Sequence, residues 1–165
     1  WIAKRDQEVV FLGRDDEDGI RAAQLAAAVG ITAARGYLAG GMTSWREEKR
    51  PVHSIERLSV EELHERDQRD QALQILDVRE RSEWESGHIP DSHFQPYHDI
   101  EAVPAGIDPE RPIAAICGSG ERSGVAASLL QRHGAKHVFH VVDGGVGAWG
   151  KRGWPLERPQ HVAAD

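Results

Sequence analysis

Apolar residues along this chain fall into short unbroken runs separated by stretches with helical spacing. "IAAIC" (113–117) is one such run, short and uninterrupted by charge, as a strand covered on both faces requires. The segment "SGVAASLLQRHG" (123–134) then carries Val125, Ala126, Leu129 and Leu130 on one helical stripe, with Gly134 where a C′ glycine closes a helix. "HVFHVV" (137–142) returns to a strand pattern, so the three pieces predict a βαβ unit. Upstream, "SVEE" (59–62) is a capping box that opens a short helix, and "LQILDVR" (73–79) is another buried-strand run. Strand and helix patterns alternate from about 53 to 158, which predicts an α/β domain with a mostly parallel sheet.

The same pattern is written twice. "VVFLGRDDEDGIRAAQLAAAVGITAARGYLAGGMTSWREEKRPV" (9–52) aligns without a gap to "IAAICGSGERSGVAASLLQRHGAKHVFHVVDGGVGAWGKRGWPL" (113–156). Gly30 meets Gly134, Gly40 and Gly41 meet Gly144 and Gly145, Trp45 meets Trp149, and Pro51 meets Pro155, each pair 104 positions apart (134 − 30, 149 − 45, 155 − 51). A common offset over glycines, tryptophan and proline marks an internal repeat. The first copy contains only the second half of the unit. It cannot cover both faces of its strands alone, and is expected to dock on the complete domain or another chain, or to pair with a preceding half. The expected domains are therefore residues 1–52, the C-terminal half of a degenerate unit, and residues 53–160, a complete one. The start "WIAKRDQEVVFLG" reads as the interior of a longer protein.

Composition narrows the partners. The formal charge is −7, with acids and bases interspersed, which argues against nucleic acid as a partner. The longest weakly polar stretch, residues 22–34, is too short to span a bilayer, and no secretory signal pattern is visible. A single cysteine excludes an internal disulfide and a cysteine-based zinc site, and fits a reducing, cytoplasmic setting. Nine histidines are present without any His-x-His or H-E-x-x-H pattern, and His137 and His140 fall on alternate faces of one strand, so no metal site is expected.

That one cysteine, Cys117, ends a predicted strand and is followed by "GSGERS" (118–123). Gly118 and Gly120 allow the backbone to curl into a nest of amides. The helix expected to begin near Ser123 contributes its free N–H groups, and Arg122 supplies a permanent cation. All three favour thiolate over thiol, making Cys117 a candidate nucleophile with Gly118, Ser119, Gly120, Glu121, Arg122 and Ser123 as the cradle for its substrate. In the first copy Gly13 stands where Cys117 does (117 − 13 = 104), and the loop reads "RDDED". The thiol and its loop are lost together, which a merely structural cysteine would not require, although a buried thiol beside an ordinary turn is the plain alternative. Cysteine phosphatases use a related, longer Cys-x-x-x-x-x-Arg cradle; here four residues intervene, a ring suited to a smaller species such as a single sulfur atom.

These pieces resemble the rhodanese family of sulfurtransferases. The matching segments are "LDVRERSEWESGHIPDS" (76–92), "CGSGERS" (117–123) and "VVDGGVGAWGKRGWP" (141–155), which span 80 residues (155 − 76 + 1) in the family's order. Asp91 and Ser92 depart from the small pair that usually follows Gly-His-Ile-Pro. The resemblance implies an α/β fold with a mostly parallel sheet and helices on both faces. It implies that Cys117 accepts a sulfane sulfur from thiosulfate or a low-molecular-weight persulfide and passes it to cyanide or a thiol such as glutathione, without a cofactor. Asp77 and Arg79 are expected to support the loop by hydrogen bonds and charge pairing rather than to act as acid or base, and Glu83 and His88 likewise. Trp149 and Trp45 read as packing anchors, with Trp84 and Ile89 under the same edge. The tandem of a degenerate and an intact copy also resembles the C-terminal part of bacterial fusions with an upstream metallo-β-lactamase-like persulfide dioxygenase. Two other readings remain open: a non-catalytic binding or regulatory module, and a cysteine phosphatase or arsenate reductase.

Overall fold

The computed structural model describes residues 7–159. Residues 1–6 and 160, which fall at the ends of the two expected domains, lie outside the described residues. The chain divides into two compact units, Trp1–Ser54 and Ile55–Asp165.

The larger unit runs β3 (Glu56–Leu58), α3 (Val60–Arg69), β4 (Gln74–Asp77), α4 (Arg81–Ser86), β5 (His93–Phe94), a 3-10 turn at Tyr97–Asp99, β6 (Ile113–Ile116), α5 (Glu121–Arg132), β7 (Val138–Val141) and α6 (Gly145–Lys151). Its five strands are parallel in the order β3-β7-β6-β4-β5. The two strands that read as unbroken apolar runs, β4 and β6, pair with one another inside the sheet, and every residue of both is buried. Their alternate side chains feed two cores. Leu76, Val78, Ile113, Ala115 and Cys117 pack with Ala126, Ala127 and Leu130 of α5. Ile75, Ala114 and Ile116 pack on the opposite face with Val60 and Leu63 of α3 and Val146 and Trp149 of α6. The fold is thus α/β, with a parallel sheet and helices on both faces.

Local signals explain the helix ends. Ser59 accepts from the Glu62 amide while Glu62 accepts from the Ser59 amide, closing the box that starts α3. At the end of α5, Gly134 has φ +99°, and the Gly134 and Ala135 amides bond back to Gln131 and Leu130, a Schellman closure. The start of α5 differs from the expectation. The helix begins at Glu121, behind a left-handed Gly120 (φ +100°), and not near Ser123. The Ser123 hydroxyl is directed at the Gly120 and Val141 carbonyls and caps nothing, so the glycine sets the boundary.

The smaller unit contains β1 (Val9–Phe11), α1 (Asp16–Ala28), β2 (Ala34–Tyr37) and α2 (Gly41–Glu47), with the two strands parallel. Shifted by 104, β2 and α2 coincide with β7 and α6. The detailed bonding repeats as well. Val9 faces Ala34 as Ile113 faces Val138, Gly30 and Ile31 close α1 as Gly134 and Ala135 close α5, and the Trp45 indole donates to the Pro51 carbonyl at 3.0 Å as Trp149 does to Pro155 at 2.9 Å. A register shift after Val9 is where β1 departs from β6. What differs is cover. Val10, Leu12 and Tyr37 are 64%, 53% and 37% exposed, whereas their counterparts Ala114, Ile116 and Val141 have no exposure because α3 lies over them. Both outer strand edges, paired by β3 and β4 in the larger unit, have no strand partner in the smaller among the described residues. Among the described residues no helix is long and apolar enough to cross a membrane.

Candidate functional site

Cys117 is the first residue past β6 and lies at the carboxyl edge of the parallel sheet, where ligands of open α/β folds collect. Two backbone arrangements fix it there. The Cys117 carbonyl accepts from the Val146 amide at 2.9 Å, which ties the end of β6 to the Gly144-Gly145 turn. On the other side Gly120, held left-handed, turns its amide back onto Sγ at 3.1 Å. The Ser123 hydroxyl lies 3.4 Å from Sγ.

These contacts set the thiol's acidity. Burial alone pushes the Cys117 thiol up. The Ser123 hydroxyl and the amides of Ser123, Ser119 and Gly120 outweigh that and hold it below the ordinary thiol value. The sulfur has no solvent exposure, packing into the α5-side core beneath a loop whose crest, Ser119, is exposed. The environment is therefore mixed, with apolar packing behind the sulfur and hydrogen-bond donors in front of it.

His140 enters the site from β7, a contribution the sequence reading missed. Its Nε2 donates to the Gly120 carbonyl at 2.6 Å, and Ser123 Oγ lies 3.0 Å from the same oxygen. Because carbonyl and N–H of one peptide point in opposite directions, fixing the Gly120 carbonyl also fixes the direction of the Glu121 amide at the helix start. The available signal was a histidine inside a strand otherwise built for a core.

Arg122 interacts with Cys117, as a cation of the cradle should, but shares its charge with a carboxylate. Its Nη1 and Nη2 donate to the two carboxylate oxygens of Glu83 at 2.5 and 2.8 Å. Glu83 also accepts from the Glu80 amide at 3.2 Å in the capping box of α4. Arg122 first, with the Glu80 amide assisting, holds the Glu83 carboxyl below its usual range against the opposing effect of burial. Glu121 points into solvent.

Asp77 and Arg79 are both buried and form a two-pronged pair, Nε to Oδ1 at 2.9 Å and Nη2 to Oδ2 at 2.6 Å. Arg79 Nη2 also donates to the Gly87 carbonyl at 2.7 Å, fastening the far end of the α4 segment. The side-chain link from that segment to the cysteine loop comes from Glu83. Replacing Asp77 by Ala leaves the Arg79 cation buried without its carboxylate; a loss of about 3–5 kcal/mol in unfolding free energy is expected by urea titration. His88 donates Nδ1 to the Trp84 carbonyl at 3.1 Å and stacks on the Trp84 ring at 3.9 Å, with Phe94 beyond. Trp84 therefore belongs to this cluster, while Ile89 packs in the core of Trp149, which separates two residues expected under one edge. Among the described residues no group of three or more His, Cys, Asp or Glu side chains is placed to hold a metal.

Comparison with known proteins points the same way as the geometry. The rhodanese-like domain family matches residues 59–152. A putative sulfur carrier protein, YrkF of Bacillus subtilis, is 37% identical over 91 residues, covering 55% of this chain and 49% of that protein, so the chain spans about half of this relative's length. A thiosulfate sulfurtransferase, GlpE of Pseudomonas savastanoi, is 36% identical over 81 residues, 49% of this chain and 76% of that enzyme. Among solved structures, the rhodanese-like domain of an Anabaena protein, determined in solution, superposes with a TM-score of 0.57 at 28% identity, covering 68% of this chain and 87% of that one. With a family match over more than half its length, on a parallel sheet carrying a cysteine loop at its carboxyl edge, this chain belongs to the rhodanese-like domain family.

Proposed function

We propose that the larger unit is a rhodanese-type sulfurtransferase that carries a sulfane sulfur on Cys117. The Cys117 thiolate attacks the outer sulfur of a donor. A new S–S bond forms as the donor's own S–S bond breaks, and the donor leaves as a thiolate, or as sulfite if it is thiosulfate. An acceptor thiolate or cyanide then attacks the outer sulfur, and the Cys117 thiolate is regenerated. No net oxidant or reductant is consumed, and no general base is required once the thiol is ionised. The observation that carries this reading is the Gly120 amide directed at Sγ, with Ser123 Oγ beside it, at the sheet's carboxyl edge. The names of the sulfurtransferase relatives support it.

The test is intact-protein mass spectrometry. After treatment with glutathione persulfide or thiosulfate the chain is expected to gain the mass of one sulfur atom, and to lose it on addition of excess glutathione. An unchanged mass under donor excess would overturn the reading. A non-catalytic binding module draws support from the covered position of Cys117; a thiol titrating at its ordinary value and alkylated slowly would favour it.

We further infer that residues 1–52 are a degenerate half of the same fold. Support comes from the hydrogen bonds and helix ends repeated at an offset of 104, and from Gly13 and an acidic loop in place of Cys117 and its cradle. In that loop Asp15 caps α1 and Asp16 accepts from the Gly40 amide, so its carboxylates serve local structure. Such a half suits a docking surface for another chain, a second copy, or a preceding segment in a fusion with a metallo-β-lactamase-like persulfide dioxygenase. Because the cycle needs a reduced Cys117, we assign it to the cytoplasm.

A further inference from the structure

We infer that the site takes its sulfur from donors of low negative charge, alkyl persulfides whose outer sulfur is delivered as neutral R–S–SH, in preference to the dianion thiosulfate. The inference rests on the sulfur-transfer reading above and concerns which donor class that chemistry accepts.

The observation behind it is the balance of charge around the sulfur. The cradle's own cation, Arg122, is engaged by both oxygens of Glu83. With Cys117 ionised, one guanidinium faces one carboxylate and one thiolate, and the exposed Glu121 carboxylate follows at the next loop position. Of the other cations near α4, Arg79 is spent on Asp77 and His98 lies between Glu80 and Asp99, while the exposed Arg81 lies over the Phe94 ring at 5.1 Å, a contact that leaves its charge in place. Arg122 interacts with Cys117 as well as with Glu83, so its single positive charge is shared between the thiolate and a carboxylate, and the amides around Sγ supply the rest of the thiolate's stabilisation.

Dipoles and free charges select differently. Amides directed at Sγ stabilise a thiolate whichever donor approaches. A second and third negative charge on an incoming molecule needs a cation, and meets Glu83 and Glu121 instead. Each extra unit charge a few ångströms from these carboxylates costs about tenfold in encounter with the site at an effective dielectric between protein surface and water. For a persulfide, the attack Cys117–S⁻ + R–S–SH → Cys117–S–SH + R–S⁻ adds no charge to the site, and the thiolate's one negative charge departs with the leaving thiolate. For thiosulfate, Cys117–S⁻ + S–SO₃²⁻ → Cys117–S–S⁻ + SO₃²⁻ gathers three negative charges at one covered position.

The test measures the rate of sulfur loading on Cys117 with three donors of increasing negative charge: cysteamine persulfide, glutathione persulfide and thiosulfate. Each rate is divided by that of the same donor with a free small thiolate, which removes the donor's intrinsic reactivity. The normalised rates are expected to fall in that order, by at least about tenfold from first to last. High salt should compress the range. Glu83→Gln, which releases Arg122, and Glu121→Gln should each raise the thiosulfate rate relative to the persulfide rates. Equal normalised rates, or thiosulfate the fastest, would overturn the inference while leaving sulfur transfer standing. Failure of all three donors to load Cys117 would instead overturn the transfer reading beneath it.

Discussion

Cys117→Ser should take up no sulfur from any donor while remaining folded. The serine hydroxyl fits the space of the thiol and offers an acceptor to the Gly120 amide that now bonds Sγ, so the loop keeps its bonding pattern. What it lacks is an ionised, polarisable nucleophile. A serine without an adjacent base stays protonated, whereas the Cys117 thiol is held below its ordinary value because its amide and hydroxyl partners outweigh its burial. Complete loss of the sulfur mass gain, with an unchanged circular dichroism spectrum, is the expected result. The pair also reports on ionisation. A thiol whose folded value lies below its unfolded value adds stability that is fully present above the unfolded value and is lost as pH falls through the folded one. The stability of wild type over Cys117→Ser should therefore grow as pH rises through that window. A pH-independent difference would mean that the amides do not hold the charge.

The second large effect is expected at a residue with no chemistry of its own. Gly145 has φ +51°, and a Cβ built on it would lie 1.7 Å from the Cys117 carbonyl oxygen and 2.6 Å from its carbon. Both are backbone atoms, so no rotamer change relieves the clash. Gly145→Ala must push the end of β6 away from α6, break the bond from the Val146 amide to the Cys117 carbonyl and shift the sulfur out of register with its donors. A destabilisation of about 3–5 kcal/mol follows from combined strain and clash, with faster alkylation of Cys117 in the fraction still folded. Gly147→Ala is the matched control on the same helix. Nothing lies within 4 Å of a Cβ there, and a shift in urea midpoint beyond that of an ordinary surface change would argue against the clash account.

The parts of this molecule legible in the sequence are those set by neighbours along the chain. The β4 and β6 strands announced themselves as unbroken apolar runs because both faces are covered. The Ser59–Glu62 box and Gly134 marked the ends of α3 and α5 because capping is a local matter. The matching of β2 and α2 to β7 and α6 at an offset of 104 was readable because glycine and tryptophan positions record backbone geometry that side-chain changes leave intact. The cysteine loop was visible for the same reason, since a nest needs glycines at fixed spacing. Contacts made across the fold were not legible. That the cation Arg122 is shared with Glu83 was not legible because Glu83, 39 positions earlier, carries no mark in the sequence of where α4 will place it. His140 read as a strand histidine because its relation to Gly120 exists only once β7 lies beside β6. Trp84 and Ile89 are five positions apart, yet the turn between them sends one to the His88 stack and the other to the opposite core.

The exposed flank of the smaller unit, with Val10, Leu12 and Tyr37 facing water beside two strand edges that have no partner among the described residues, has a thermodynamic consequence. A surface of this kind is a template for adhesion until something occupies it. Whatever occupies it binds the folded form alone, so the melting of this unit becomes a matter of mass action and rises with the concentration of its complement. Dilution would then melt Trp1–Ser54 before the five-stranded sheet, and titrating in the complement would bring the two transitions together.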